Sequence, residues 1–258
     1  MVKRIFSNEI HLPSAAKLLI SAKGGVGTST LTKELAIAFS KNVSVCLVDM
    51  ALSCPAQETF FRILPTRTME DLFQHNARDL SPLSWQDLDP YLTPVPDRNI
   101  HLLSSKQMKR TYPLPINRII QLISSLKTYF DLVLIDTDMA STDTPAKLME
   151  LSDLALLITD DTECSIKNNQ RFRRFLTQKQ ISYDHMHVIA NQIRKEQRMY
   201  SDQEIEELLH IPVLVTLPYY DQVWKYNNSY LSLYEDSENL LHPSLSSLVN
   251  RLSKLLEK

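Results

Sequence analysis

From one end of the chain to the other, short apolar runs alternate with stretches whose apolar positions recur every three or four residues. That alternation predicts an α/β fold, a doubly wound and mostly parallel sheet covered by helices on both faces. Strands are expected at residues 17–22, 43–49, 100–103, 132–136, 154–159, 187–190 and 213–216, and helices at 29–40, 115–127, 144–151, 166–177, 202–209 and 243–257. Several strand runs are apolar on both alternating faces, as in a strand with no side turned to water. Residues 55–97 carry Pro65, Pro82, Pro90, Pro94 and Pro96 and read as an irregular excursion with short helices, within one domain spanning 1–258. Residues 1–16 read as an N-terminal extension.

Composition adds one strong signal. Average usage would put roughly 18 glycines in a chain of this length; this one has 3, namely Gly24, Gly25 and Gly27. All fall in one loop, so that loop needs what glycine alone supplies, positive φ or a backbone bare enough for a ligand to approach. The formal net charge of -2 gives no global field toward nucleic acid or an anionic membrane. The apolar runs are too short to span a bilayer, and no signal core follows Lys3 and Arg4, so a cytoplasmic location is expected. Cys46, Cys54 and Cys164 lack metal or redox spacing and read as reduced thiols. His185 and His187 share a strand face without a third ligand and read as structural.

Residues 18–30, LLISAKGGVGTST, run from strand to glycine loop to helix start, the context in which backbone N–H groups and a helix N-terminus hold phosphate. A strict P-loop would have glycine at Ala22 and lysine at Thr28. Residues 23–30 instead resemble the deviant phosphate loop of ParA/MinD ATPases, in which a lysine, here Lys23, opens the loop. The resemblance implies that Lys23, Gly24, Gly25, Val26, Gly27, Thr28, Ser29 and Thr30 bind ATP. It also implies that Ser29 and Asp136, at the end of the strand FDLVLID, serve Mg²⁺. Asp49 after the second strand, Asn191 in VIANQI, and Pro218 and Asp221 in LPYYD are similar to positions that complete the nucleotide site. The family's Lys23 contacts the phosphates of a partner, which implies an ATP-sandwiched homodimer.

Two positions depart from the family. Ala51 stands where a water-orienting carboxylate is usual, and Thr28 where a second lysine would neutralise charge on the phosphates. Losing one such electrostatic partner typically slows reaction ~10²-fold or more, so very slow or absent hydrolysis is expected. Asp138 and Asp143 are candidate substitutes for the missing carboxylate.

The Thr-for-Lys loop and residues 52–73 are similar to the CpaE/TadZ branch, which implies a scaffold positioning components of a pilus or secretion machine. That branch often carries an N-terminal receiver-like domain, which has no counterpart in the short stretch ahead of the first expected strand. A BcsQ-like cellulose-secretion factor and an active ParA-type partition ATPase are the alternatives. Partition would require nonspecific DNA binding through Lys106, Lys109 and Arg110 or through Arg171, Arg173 and Arg174. Phe172 and Phe175 interleave the second set, which reads instead as an amphipathic helix. DNA is therefore not an expected partner. The leucines of residues 243–257 fit a closing core helix better than a membrane tail, leaving membrane association indirect, through a partner.

Overall fold

In the computed structural model, residues 15–20, 23–75, 80–106, 115–138 and 143–256 are described. The chain runs β1 (Ala15–Ile20), α1 (Thr28–Phe39), β2 (Val45–Met50), α2 (Gln57–Phe61), α3 (Met69–His75), α4 (Trp85–Leu88), β3 (Thr93–Pro94) and β4 (Ile100–Leu103). It continues through α5 (Ile116–Tyr129), β5 (Leu132–Thr137), α6 (Asp143–Leu151), β6 (Leu154–Thr159) and α7 (Glu163–Gln178). Then come β7 (Met186–Ile193), α8 (Asp202–Leu209), β8 (Val213–Pro218), α9 (Val223–Ser229) and α10 (His242–Leu256). Among the described residues the strands form one sheet in the order β3-β4-β2-β5-β1-β6-β7-β8. Every pairing is parallel except β3 with β4.

Period-two alternation explains why the sheet is covered on both faces. Cys46 and Val48 of β2, Val133 and Ile135 of β5, and Ala155 and Leu157 of β6 join one buried cluster with Ile119 and Leu122 of α5, Phe172 of α7 and Ile205 of α8. Their neighbours Val45, Leu47, Leu132, Leu134, Leu154 and Leu156 join the opposite cluster, with Leu31 and Leu35 of α1 and Leu245, Leu248 and Leu252 of α10. Burying a leucine side chain contributes roughly 1.5–3 kcal/mol. Three such residues make α10 an integral core helix, as the leucine spacing predicts. On α7, Phe172 is buried while Arg171 and Arg174 are exposed, the arrangement expected of an amphipathic helix.

The departures are local. β1 starts at Ala15, two residues ahead of the expected strand, so the last two residues of 1–16 belong to the sheet. Small Ala15 and Ala16 hid the start, although they pair with Leu132 and Val133. The excursion holds short helices as expected, but its last part joins the sheet through β3, a two-residue strand at the antiparallel edge, where a proline is tolerated. Expectations at Lys109 and Arg110 fall outside the described residues. Lys106 is paired with Asp71 at 2.6 Å.

Under α1, Lys33 and Glu34 form a buried ion pair at 3.0 Å. Lys33 donates to the Leu231 carbonyl at 2.9 Å, and Glu34 accepts from Ser232 Oγ at 2.6 Å and Tyr234 N at 3.0 Å. Buried charges persist only with such partners. Asn227 of α9 donates to Thr30 Oγ1 at 3.0 Å, linking the same region to the start of α1.

Candidate functional site

The glycine loop emerges at the carboxyl end of β1, between β5 and β6. After β1 the chain winds outward to one side through β2, and after β5 it crosses to β6 on the other. That crossing is the switch point at which open α/β sheets bind ligands. A cavity of about 820 Å³ opens there, bounded by the loop, Ala51, Asp138, Asn191, Pro218 and Tyr220. Its size suits a nucleotide-sized molecule.

Glycine is required in the loop for more than one reason. Gly25 and Gly27 have φ of 80° and 92°, and Gly27 caps α1 in the left-handed conformation. A Cβ on Gly27 would stand 2.6 Å from Asn191 Nδ2, closer than real Cβ contacts allow. Gly24 has neither a positive φ nor a crowding neighbour, so neither backbone conformation nor packing requires glycine there. Elsewhere the chain makes left-handed turns without glycine: Arg62, Asp97, Gln180, Gln192, His210 and Tyr230 all have φ between 53° and 62°. Arg62, His210 and Tyr230 are the C-caps of α2, α8 and α9, positions where glycine is usual.

The end of β7 clamps the loop. Asn191 donates from Nδ2 to the Val26 carbonyl at 2.7 Å, and Gln192 donates from Nε2 to the Gly25 carbonyl at 3.0 Å. Lys23 reaches within its own chain to Asp160 at 2.5 Å and to Thr162 Oγ1 at 3.1 Å, at the entrance to α7. Burial raises the Asp160 pKa, but hydrogen bonds from Lys23 and Thr162 outweigh it and hold the carboxyl below its ordinary value.

The wall beyond the loop is built from β2 and β5. Asp49 Oδ1 accepts from Ala51 N at 3.1 Å, and Oδ2 accepts from Ala56 N and Gln57 N, both at 3.0 Å. These bonds fold residues 51–57 back over the strand end, so Asp49 shapes the wall and does not itself line the cavity. Burial, reinforced by neighbouring Asp136, pushes its pKa up to about 7. Asp136 is pushed up to about 6 by burial, against hydrogen bonding from Gln57 and Ser29. Its Oδ1 is buried without a hydrogen-bond partner. A buried acceptor left unpaired costs about 1–3 kcal/mol, more if charged, and a divalent cation or its water would remove that cost. Ser29 and Asp136 therefore fit Mg²⁺.

The other expected residues divide. Val26 is buried behind the loop, Thr28 and Ser29 open α1 at the cavity, and buried Ala51 is part of the cavity lining. Pro218 lines the cavity, whereas Asp221 is exposed and outside its lining. Asp138 lines the cavity with Oδ2 accepting from Ser53 N at 2.8 Å; Asp143 begins α6, and its side chain lies outside the described residues. Sequence reasoning missed Gln57, Asp160 and Gln192. Asp160 has the same signature as Asp136, an acid at the carboxyl end of a buried strand; the two glutamines have none. The cysteines are free thiols. No group of three or more His, Cys, Asp or Glu suited to a metal occurs among the described residues, and none of the described helices is long and apolar enough to cross a membrane.

A glycine phosphate loop feeding a helix at the switch point of a parallel sheet defines a nucleotide-binding α/β protein. Residues 17–233 match the CobQ/CobB/MinD/ParA nucleotide binding domain, and the chain belongs to that family. It is 23% identical over 234 residues to an uncharacterised ATP-binding protein of Methanocaldococcus jannaschii, covering 86% of this chain and 92% of the other. Among solved structures it resembles the MinC:MinD cell division complex of Aquifex aeolicus, with TM-score 0.79, 18% identity and coverage of 93% and 96%. It also resembles the septum site-determining protein MinD complexed with Mg-ADP from Pyrococcus horikoshii, with TM-score 0.74, 17% identity and coverage of 93% and 96%.

Proposed function

We propose that the protein binds ATP with Mg²⁺, dimerises through the nucleotide face, and serves as a scaffold or very slow switch that positions components of a pilus or secretion machine. One observation carries this reading: the glycine loop and Ser29 line the cavity together with Ala51 and Thr28, the two positions where the family resemblance would put a carboxylate and a second lysine. Loop amides, Ser29 and Asp136 would hold the phosphates and the metal, which when bound neutralises phosphate charge. Asn191, in contact with the loop, is suited to couple recognition of the base to the loop's shape. The relative solved with Mg-ADP supports the cofactor assignment. The CpaE/TadZ reading rests on the Gly27-Thr28-Ser29-Thr30 loop and residues 52–73. One domain, a cytoplasmic location and membrane contact only through a partner complete the proposal.

Dimerisation requires Lys23 to leave Asp160 and Thr162 for a partner's phosphates. Isothermal titration should show adenine selectivity over guanine. In sedimentation, Lys23→Ala should weaken ATP-linked dimerisation by about tenfold or more while ligand-free thermal stability stays near wild type, because Lys23 lies outside the core. Equal affinity for GTP, or one unchanging dimer with and without ATP in both proteins, would count against the proposal.

A further inference from the structure

Gln57 opens α2 and is completely buried. Its Nε2 donates to Asp136 Oδ2 at 2.8 Å and to the Ser29 carbonyl at 3.0 Å. Neither oxygen can donate while Asp136 is ionised, so the amide nitrogen must face them and chemistry fixes the orientation of the carboxamide. The Gln57 Oε1 is buried without a hydrogen-bond partner, as is Asp136 Oδ1. Two orphaned acceptors thus belong to side chains bonded to each other, beside the first turn of α1. Each needs a donor, and water polarised by a divalent cation is a stronger donor than bulk water.

We propose that Gln57 is a positioning residue for the magnesium site: it fixes the Asp136 carboxylate through Nε2 and offers Oε1 to the water shell of the ion that accompanies the nucleotide. The assignment rests on the Mg²⁺-nucleotide reading above. It also ties the ion to the cavity wall, because the Gln57 backbone N–H is held by Asp49, which folds residues 51–57 over β2. Metal occupancy is then coupled to the position of the segment carrying Ala51 and Cys54.

The test compares ATP affinity in EDTA and across a Mg²⁺ titration for the full chain and for Gln57→Leu and Gln57→Ala. Groups that support a metal's ligands typically affect metal affinity 10–100-fold. The ratio of ATP affinity with Mg²⁺ to that in EDTA should therefore fall about tenfold or more in both variants, with little change in EDTA. An unchanged ratio, or equal losses with and without Mg²⁺, would overturn the proposal and leave Oε1 to a structural water only. Absence of any Mg²⁺ effect in wild type would instead overturn the underlying metal reading. If neither variant folds, the wild-type protein still decides. Alkylation of exposed Cys54, measured against exposed Cys164, should slow with Mg²⁺-ATP relative to ATP in EDTA. Equal rates would overturn the coupling of ion and wall.

Discussion

The two sides of the nucleotide cavity are built on opposite principles. On the loop side, backbone does the work: two left-handed glycines, a third with open space around it, and two carboxamides from β7 gripping loop carbonyls. On the wall side, side chains are turned inward, with Asp49 spent on backbone amides and Asp136 held by Gln57, while Ala51 lies in the cavity lining. On the reading proposed above, a glycine loop facing Ala51 would separate holding a phosphate from activating water beside it. Preorganised dipoles suffice for the first; the second needs a base or a water-orienting group at a defined place.

The largest expected effect comes from making the wall resemble an active ATPase. Wild-type turnover should lie barely above background in a single-turnover assay with labelled ATP. Thr28→Lys combined with Ala51→Asp should raise it about 10²-fold or more, while each alone does little, since both changes act on one transition state. Brisk wild-type hydrolysis abolished by Asp138→Asn would break the comparison, making Asp138 the wall's substitute carboxylate.

A smaller effect separates the glycine loop from the glycine-free helix ends. Gly27→Ala should destabilise the protein by about 1–2 kcal/mol through its left-handed backbone alone, with further loss from the contact to Asn191. His210→Gly, at an equally left-handed C-cap, should stabilise by about 0.5–1 kcal/mol. Urea midpoints measure both, and a neutral Gly27→Ala would refute the geometric account of the loop.

The smallest effect lies outside the cavity and sets a baseline for it. Burial lowers the pKa of His101 and His187, and the Nδ1 of each is buried without a partner. The unfolded chain takes up protons near pH 6.5 while the folded chain resists, so stability is present above that pH and declines as pH falls through it. His101→Gln should flatten this decline between pH 7.5 and 5.5, by on the order of 2 °C in Tm. An identical slope in the variant would remove His101 from the account.

Much of this arrangement is legible in the sequence where one physical requirement dominates. β4 and β6 match their expected bounds because burial keeps every position apolar except His101 in β4 and the terminal Thr159 in β6. The loop was legible because its glycines have no competitors elsewhere. α9 was not, since only Tyr226 among its residues is buried and no stripe forms. Gln57 was illegible for a different reason: its partners Ser29 and Asp136 lie 28 and 79 residues away, and only the folded wall brings a glutamine against them.

The six left-handed positions filled by larger residues bear on the state that the fold competes against. Each strains the native backbone, yet a chain with 3 glycines in 258 residues has fewer conformations when denatured than one of ordinary composition. Replacing a glycine where the native backbone accommodates a side chain typically adds about 0.4–1 kcal/mol through that lost freedom. A stiffer denatured ensemble thus offsets strain at the helix ends, and the loop's glycines stand out as the place where the chain retains full backbone freedom and must immobilise it on folding.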